Sequence, residues 1–129
     1  MAATRSAVWL SAAIVMSVVS GASAAQPAGI VSGVASWYGG GERLNPHNAM
    51  GRRVDPRALE AAMWDVPLGQ HVRVTDPRSG RSVVVRITDR GPARRLSGRV
   101  IDLSRAAFAR LAPLRQGLVR VTVEPLASP

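Results

Sequence analysis

Ala35-Ser36-Trp37-Tyr38-Gly39, Asp89-Arg90-Gly91-Pro92 and Gly98-Arg99-Val100-Ile101-Asp102-Leu103-Ser104 follow one another along a chain of 129 residues. Each joins a short strand signal to a break in the backbone. The first ends an extended run over 31–38, and Gly39-Gly40-Gly41 stops it. The second ends a β-branched run over 82–88. The third is a strand over 99–103, followed by Ser104 as the cap of a helix over 105–112. Ala106, Ala107, Ala109 and Leu111 favour that helix, and Pro113 limits it.

Further strands emerge outward from these segments. His71-Val72-Arg73-Val74 alternates with the period of a half-buried strand. The turn signal Asp76-Pro77-Arg78-Ser79-Gly80 joins it to 82–88 as a hairpin. The stretch 117–124 closes the domain, with Val119, Val121 and Val123 on one face and Leu118, Arg120, Thr122 and Glu124 on the other. Between 42 and 56 the chain carries Asn, Pro, Gly and charge, the composition of a long ordered or semi-ordered loop. Several strands and one short helix predict an all-β barrel. Periodicity does not choose among small barrel topologies, and 25–129 shows no internal repeat or low-complexity tract.

Residues 1–24 have the pattern of a secretory signal: Arg5, a largely apolar run over 7–19, and Ala22-Ser23-Ala24 at the cleavage spacing. The expected organisation is a signal peptide over 1–24, a linker over 25–32, a barrel domain over 33–126 and a tail over 127–129. The expected location is secreted, in the periplasm. With 0 cysteines, neither a disulfide nor a lipid attached through cysteine is expected. The net charge is +9 and all 17 basic residues are arginine. That balance suits an anionic polymer or surface, although a GC-rich genome also replaces lysine by arginine. Export and the lack of an aromatic and basic platform argue against nucleic acid.

The three opening segments resemble the rare lipoprotein A (RlpA) family, and the resemblance runs from about Gly33 to Glu124. It implies a small six-stranded double-psi β-barrel with one short helix. It also implies a domain directed to peptidoglycan glycan strands, with endolytic lytic transglycosylase activity in some members. An envelope or division protein is a further partner to expect. The family's frequent C-terminal peptidoglycan-binding repeat domain is not expected, since the chain stops shortly after Glu124.

Glycosidic cleavage needs a proton at the leaving oxygen. A lytic transglycosylase uses the sugar's own hydroxyl as nucleophile, so one carboxyl group can act as acid and then as base. Where relatives commonly read Thr-Ala-(Ser or Asn)-Gly-Glu, this chain has Asn48-Ala49-Met50-Gly51-Arg52. Where they read Thr-Ala-Ala-His, it has Glu60-Ala61-Ala62-Met63. Two catalytic positions of the family are thus Arg52 and Met63, neither of which can deliver a proton. Asp89 retains the aspartate of Asp-Arg-Gly-Pro, and Asp55 matches a frequent acidic position; both are the expected catalytic carboxylates. Arg52 beside Asp89 would favour the ionised carboxylate. Asp89 also suits a turn cap paired with Arg90 or Arg86, and Asp102 the helix start. Glu42, in the long loop, and Asp102 are alternative acids.

Trp37, Tyr38 and Trp64 are expected to stack on sugar rings, with core packing the rival role for Trp37. Arg90, with Arg94, Arg95 and Arg99, suits the carboxylates and lactyl groups of peptidoglycan, or simply forms a solvated basic face. His47 and His71 are isolated from further ligands, so no metal and no cofactor are expected.

Overall fold

The computed structural model describes residues 29–94, 96 and 98–127. The signal sequence expected over 1–24 lies outside them. The elements are β1 (Val31–Tyr38), β2 (Glu60–Ala62), β3 (His71–Thr75), β4 (Ser82–Asp89), β5 (Arg99–Ser104), α1 (Arg105–Leu111) and β6 (Val119–Pro125), with a single 3₁₀ turn at Leu114–Gln116 before β6. The strands close into a barrel in the order β1-β5-β2-β4-β3-β6. This is the six-stranded barrel with one short helix that the sequence led us to expect. Val31 and Ser32, expected as linker, belong to β1 instead, where they pair with Val123 and Thr122 of β6. β2 has no alternating pattern of its own and was not anticipated. Its three residues are strand because β4 and β5 flank them.

The barrel interior is built from alternation. Val72 and Val74 of β3, Val83, Val85 and Ile87 of β4, Ile101 and Leu103 of β5, and Val119, Val121 and Val123 of β6 are all buried. Most of their neighbours are turned away from the core, as the period of two requires, while Thr88 and Ser104 near the strand ends are also buried. α1 adds Ala107, Phe108 and Leu111 to this core. Ser104 caps the helix as expected: its Oγ accepts from the Ala107 N–H at 3.2 Å and donates to the Ala58 carbonyl at 2.6 Å. One residue thereby ties the helix start to the chain entering β2.

Although the sequence shows no repeat, the topology has two equivalent halves. β1, β2 and β3 correspond to β4, β5 and β6. The parallel pair β1–β5 then maps onto β4–β2, and the antiparallel pair β1–β6 onto β4–β3. The antiparallel pairs β2–β5 and β3–β6 map onto themselves. Each parallel pair contains one register shift, where Val100 of β5 and Thr88 of β4 are the extra residues. This interlocking brings together two ends distant in sequence. Tyr38 closes β1, Asp89 closes β4, and both reach the same side of the barrel.

Candidate active site

β2 is the floor of the site. Ala61 faces inward between Ile87 and Leu103, so Glu60 and Ala62 lie on the outer face. Ala62 pairs with Asp89 on one side and Asp102 on the other. A methyl group thus separates two aspartates, and a glutamate stands two residues away on the same face. The loop 39–59 forms the opposite wall through Arg43, Leu44, Asn45, Asn48 and Val54, and the enclosed cleft has a volume of about 270 Å³.

The long loop is held by specific polar contacts, although it contains only an isolated bridge between His47 and Arg53. Gly39 has φ 102°, and an added Cβ there would meet Pro56 Cβ at 2.5 Å, so glycine is needed where β1 turns into the loop. Glu42 accepts from the Gly39 and Gly40 N–H groups, both at 2.7 Å. Asn48 Oδ1 accepts from the Met50 and Arg52 N–H groups at 3.0 and 3.1 Å. Asp89 Oδ1 accepts from the N–H of Arg90 at 2.8 Å and from that of Ala49 at 3.2 Å. The retained aspartate therefore fastens the loop to the end of β4 as well as lining the cleft.

Within a chain of net charge +9, the cleft concentrates carboxyl groups. Burial, and next the Glu60, Asp102 and Asp89 carboxylates, push the Tyr38 phenol far above its ordinary value. Tyr38 is thus a neutral O–H donor throughout the physiological range. Burial also raises Asp102, against the opposing hydrogen bond from Ser36 Oγ at 3.1 Å. Burial raises Glu60 too, assisted by the charge of Asp55 and opposed by Arg86 and Arg52.

The structure brings together only some of the expected site residues. Tyr38, Asp89 and Arg90 line the cleft. Arg90 Nη1, however, donates to the carbonyls of Met63, Trp64 and Val66 at 2.8, 2.9 and 2.6 Å, and so braces the segment after β2. Trp37 does not line the cleft. Its ring packs 6.2 Å from that of Phe108, and its Nε1 donates to the Leu114 carbonyl at 3.1 Å. Trp37 alternates to the side opposite Tyr38, which places it against the core. Trp64 lies in a separate hollow, its Nε1 bound to the Pro92 carbonyl at 2.6 Å and its ring 4.5 Å from the Arg94 guanidinium.

Asp55 is held at the rim by Arg57, through the backbone N–H at 3.0 Å and Nε at 3.2 Å. Those bonds keep its carboxyl below the ordinary range. Glu42 is likewise held low, by the N–H of Gly39 first, which opposes a role as proton donor. Met63 is 3% exposed and belongs to the core. Arg52 is exposed and forms no ion pair with Asp89; the ion pairs among the described residues are Arg57–Asp55 and Arg73–Glu124. No group of three or more metal-ligating side chains occurs among the described residues.

Of the two roles open to Asp102, helix start or acid of the site, its position favours the second, since Ser104 caps the helix alone and Asp102 lines the cleft. Two further cleft residues escaped the sequence reading. Asn48 and Glu60 were noted only as members of aligned segments. A signal for Glu60 did exist, since it places a carboxyl where the family has threonine, in a motif that has lost its histidine.

Comparison with known proteins agrees with this architecture. A family model described as lytic transglycolase matches residues 30–123. The probable endolytic peptidoglycan transglycosylase RlpA of Nostoc sp. is 48% identical over 95 residues, covering 73% of this chain and 25% of that protein. The endolytic peptidoglycan transglycosylase RlpA of Pseudomonas aeruginosa is 45% identical over 92 residues, covering 71% of this chain and 26% of that protein. The chain thus spans about a quarter of the length of these two relatives. Among solved structures, a Streptomyces papain inhibitor superimposes with a TM-score of 0.59 at 28% identity, covering 76% of this chain and 94% of that one. A Clavibacter michiganensis expansin gives 0.60 at 21% identity, covering 78% and 52%, a likeness of fold.

Proposed function

The chain belongs to the RlpA-like family of double-psi β-barrel domains, and from that membership we propose that it is an exported, peptidoglycan-directed protein of the bacterial periplasm. In this reading the cleft above β2 receives a glycan strand. The observation that carries it is the meeting of Tyr38 and Asp89, from two separated family segments, in one cleft of about 270 Å³. A phenol O–H and carboxylate oxygens are complementary to sugar hydroxyls. The excess of arginine favours approach to a wall rich in carboxylates.

The family's own reaction, endolytic cleavage of the glycan, is weak or lost in this proposal. Arg52 cannot release a proton at accessible pH, and Met63 has none to exchange. Asp55, bound to Arg57 at the rim, does not replace them. Restoring Arg52→Glu and Met63→His together is expected to raise release of anhydro-sugar products. Arg52→Glu falls on the exposed loop. Met63→His places a polar ring in the core and should cost about 1–3 kcal/mol of stability, so thermal melting must accompany the assay. No gain from a folded double variant counts against this account.

A second reading is a non-enzymatic envelope protein that binds a protein partner, such as one of cell division. The likeness to a papain inhibitor favours it, because that barrel belongs to a protein named for acting on another protein. Co-sedimentation with insoluble peptidoglycan, with mass analysis of the soluble fraction, separates the readings. Retention identifies the wall-directed protein, and anhydro-sugar products identify residual cleavage. Failure to sediment at low salt favours the protein partner.

A further inference from the structure

We propose that Glu60 is the proton-transferring carboxyl of this cleft, standing in from β2 for the acid that the chain lacks at positions 52 and 63. The inference rests on the reading of the cleft as a glycan site. It concerns which group carries out whatever cleavage remains.

The argument begins with position. Glu60 shares the outer face of β2 with Ala62, which is flanked by Asp89 and Asp102. All three carboxyl residues line one cleft. Their commitments differ. Asp89 Oδ1 holds the Ala49 and Arg90 N–H groups. Asp102 Oδ1 holds the Ser36 hydroxyl. Glu60 Oε2 is buried and has no hydrogen-bond partner, alone among the carboxylate oxygens of the described residues. A buried acceptor left unpaired is unfavourable, and either a ligand's donor or a proton on the carboxyl itself removes that penalty.

A second observation comes from the opposite wall. Asn48 is only 8% exposed, lines the same cleft, and its Nδ2 is also buried without a partner. Its orientation is set, because Oδ1 is needed by the Met50 and Arg52 N–H groups. Two residues lining the cleft thus carry an uncommitted donor and an uncommitted acceptor. A sugar hydroxyl, which both donates and accepts, answers both.

Burial favours the protonated form of Glu60, which suits a group that must first give up a proton. The charged and titratable groups around it are Tyr38 of β1, Arg43, Arg52 and Asp55 of the loop, Arg86 and Asp89 of β4, Arg90 just after it, and Asp102 of β5. In the reaction, the Glu60 carboxyl passes its proton to the bridging oxygen while the bond from that oxygen to the anomeric carbon breaks. The primary hydroxyl of the same sugar then bonds to the anomeric carbon and returns its proton to the Glu60 carboxylate. No water is consumed, an anhydro ring forms, and Glu60 ends in its starting state.

The test uses the full chain with insoluble peptidoglycan, reading binding by co-sedimentation and cleavage by mass analysis across a pH series. Glu60→Gln, whose amide oxygen can still accept from a sugar hydroxyl, is expected to retain binding, weakened by no more than about tenfold, yet lose cleavage by on the order of 10²-fold or more. Glu60→Asp is expected to keep part of the activity, with the alkaline limb of its pH profile displaced. Should Glu60→Gln fail to fold, Glu60→Asp decides alone, and an unchanged rate and profile would overturn the assignment. Binding without products from the parent at any pH, or equal cleavage by Glu60→Gln, would also overturn it while leaving the glycan site standing. Loss of binding in the parent would remove both.

Discussion

At the residue scale, Glu60 and Asp102 show how burial and chemistry oppose one another. Both carboxyls are raised, and burial is the first cause in each. A carboxyl whose value is higher in the folded than in the unfolded chain supports the fold fully below its unfolded value. That support is lost as pH rises through the folded value. Asp102→Asn is therefore expected to raise the melting temperature near neutral pH. The gain should vanish below the ordinary aspartate value of 3.8. The amide oxygen can still accept from Ser36, so the comparison isolates the charge. Thermal melts of parent and variant at both pH values check it, and a melting temperature that does not rise near neutral pH would contradict the burial argument. Asp89 and Tyr38 drew attention within their segments. Asn48 and Glu60 did not, because a carboxyl or amide in a list of residues carries no mark of which wall it will face.

At the scale of the element, β5 and α1 were readable from local chemistry, whereas β2 was not. Ser104 followed by alanines specifies a helix start by capping and propensity, both of which act within one turn. Ser104→Ala should cost about 1–3 kcal/mol, since it removes the cap to Ala107 and leaves the partly buried Ala58 carbonyl without its donor. Chemical denaturation measures this, and a loss below about 0.5 kcal/mol would mean that packing of Phe108 holds the helix unaided. β2 spans three residues and is strand only through its neighbours. Trp37 and Tyr38 make the same point within β1. Alternation sends the indole to Phe108 and the phenol to the cleft, so the aromatic pair divides between core and site.

At the scale of the whole molecule, a basic chain carries a cleft rich in carboxyl groups. In the proposed reading, surface charge governs approach and the cleft receives the neutral sugar groups. Retention on insoluble peptidoglycan is accordingly expected to fall as salt rises, because surface attraction is screened within about 10 Å at 0.1 M ionic strength. A salt-independent isotherm would assign the affinity to the cleft alone. The sequence by itself determined the barrel class, the helix and its cap, the hairpin and the family, because alternation, capping and turn chemistry act over a few residues and survive in a string of letters. Only the tertiary structure decided that Trp37 and Met63 are core, that Asp55 stays at the rim, and that Glu60 joins Asp89 and Asp102. Those placements depend on which strands become neighbours, and here β2 is paired between β4 and β5, segments that follow it in the chain by more than twenty residues.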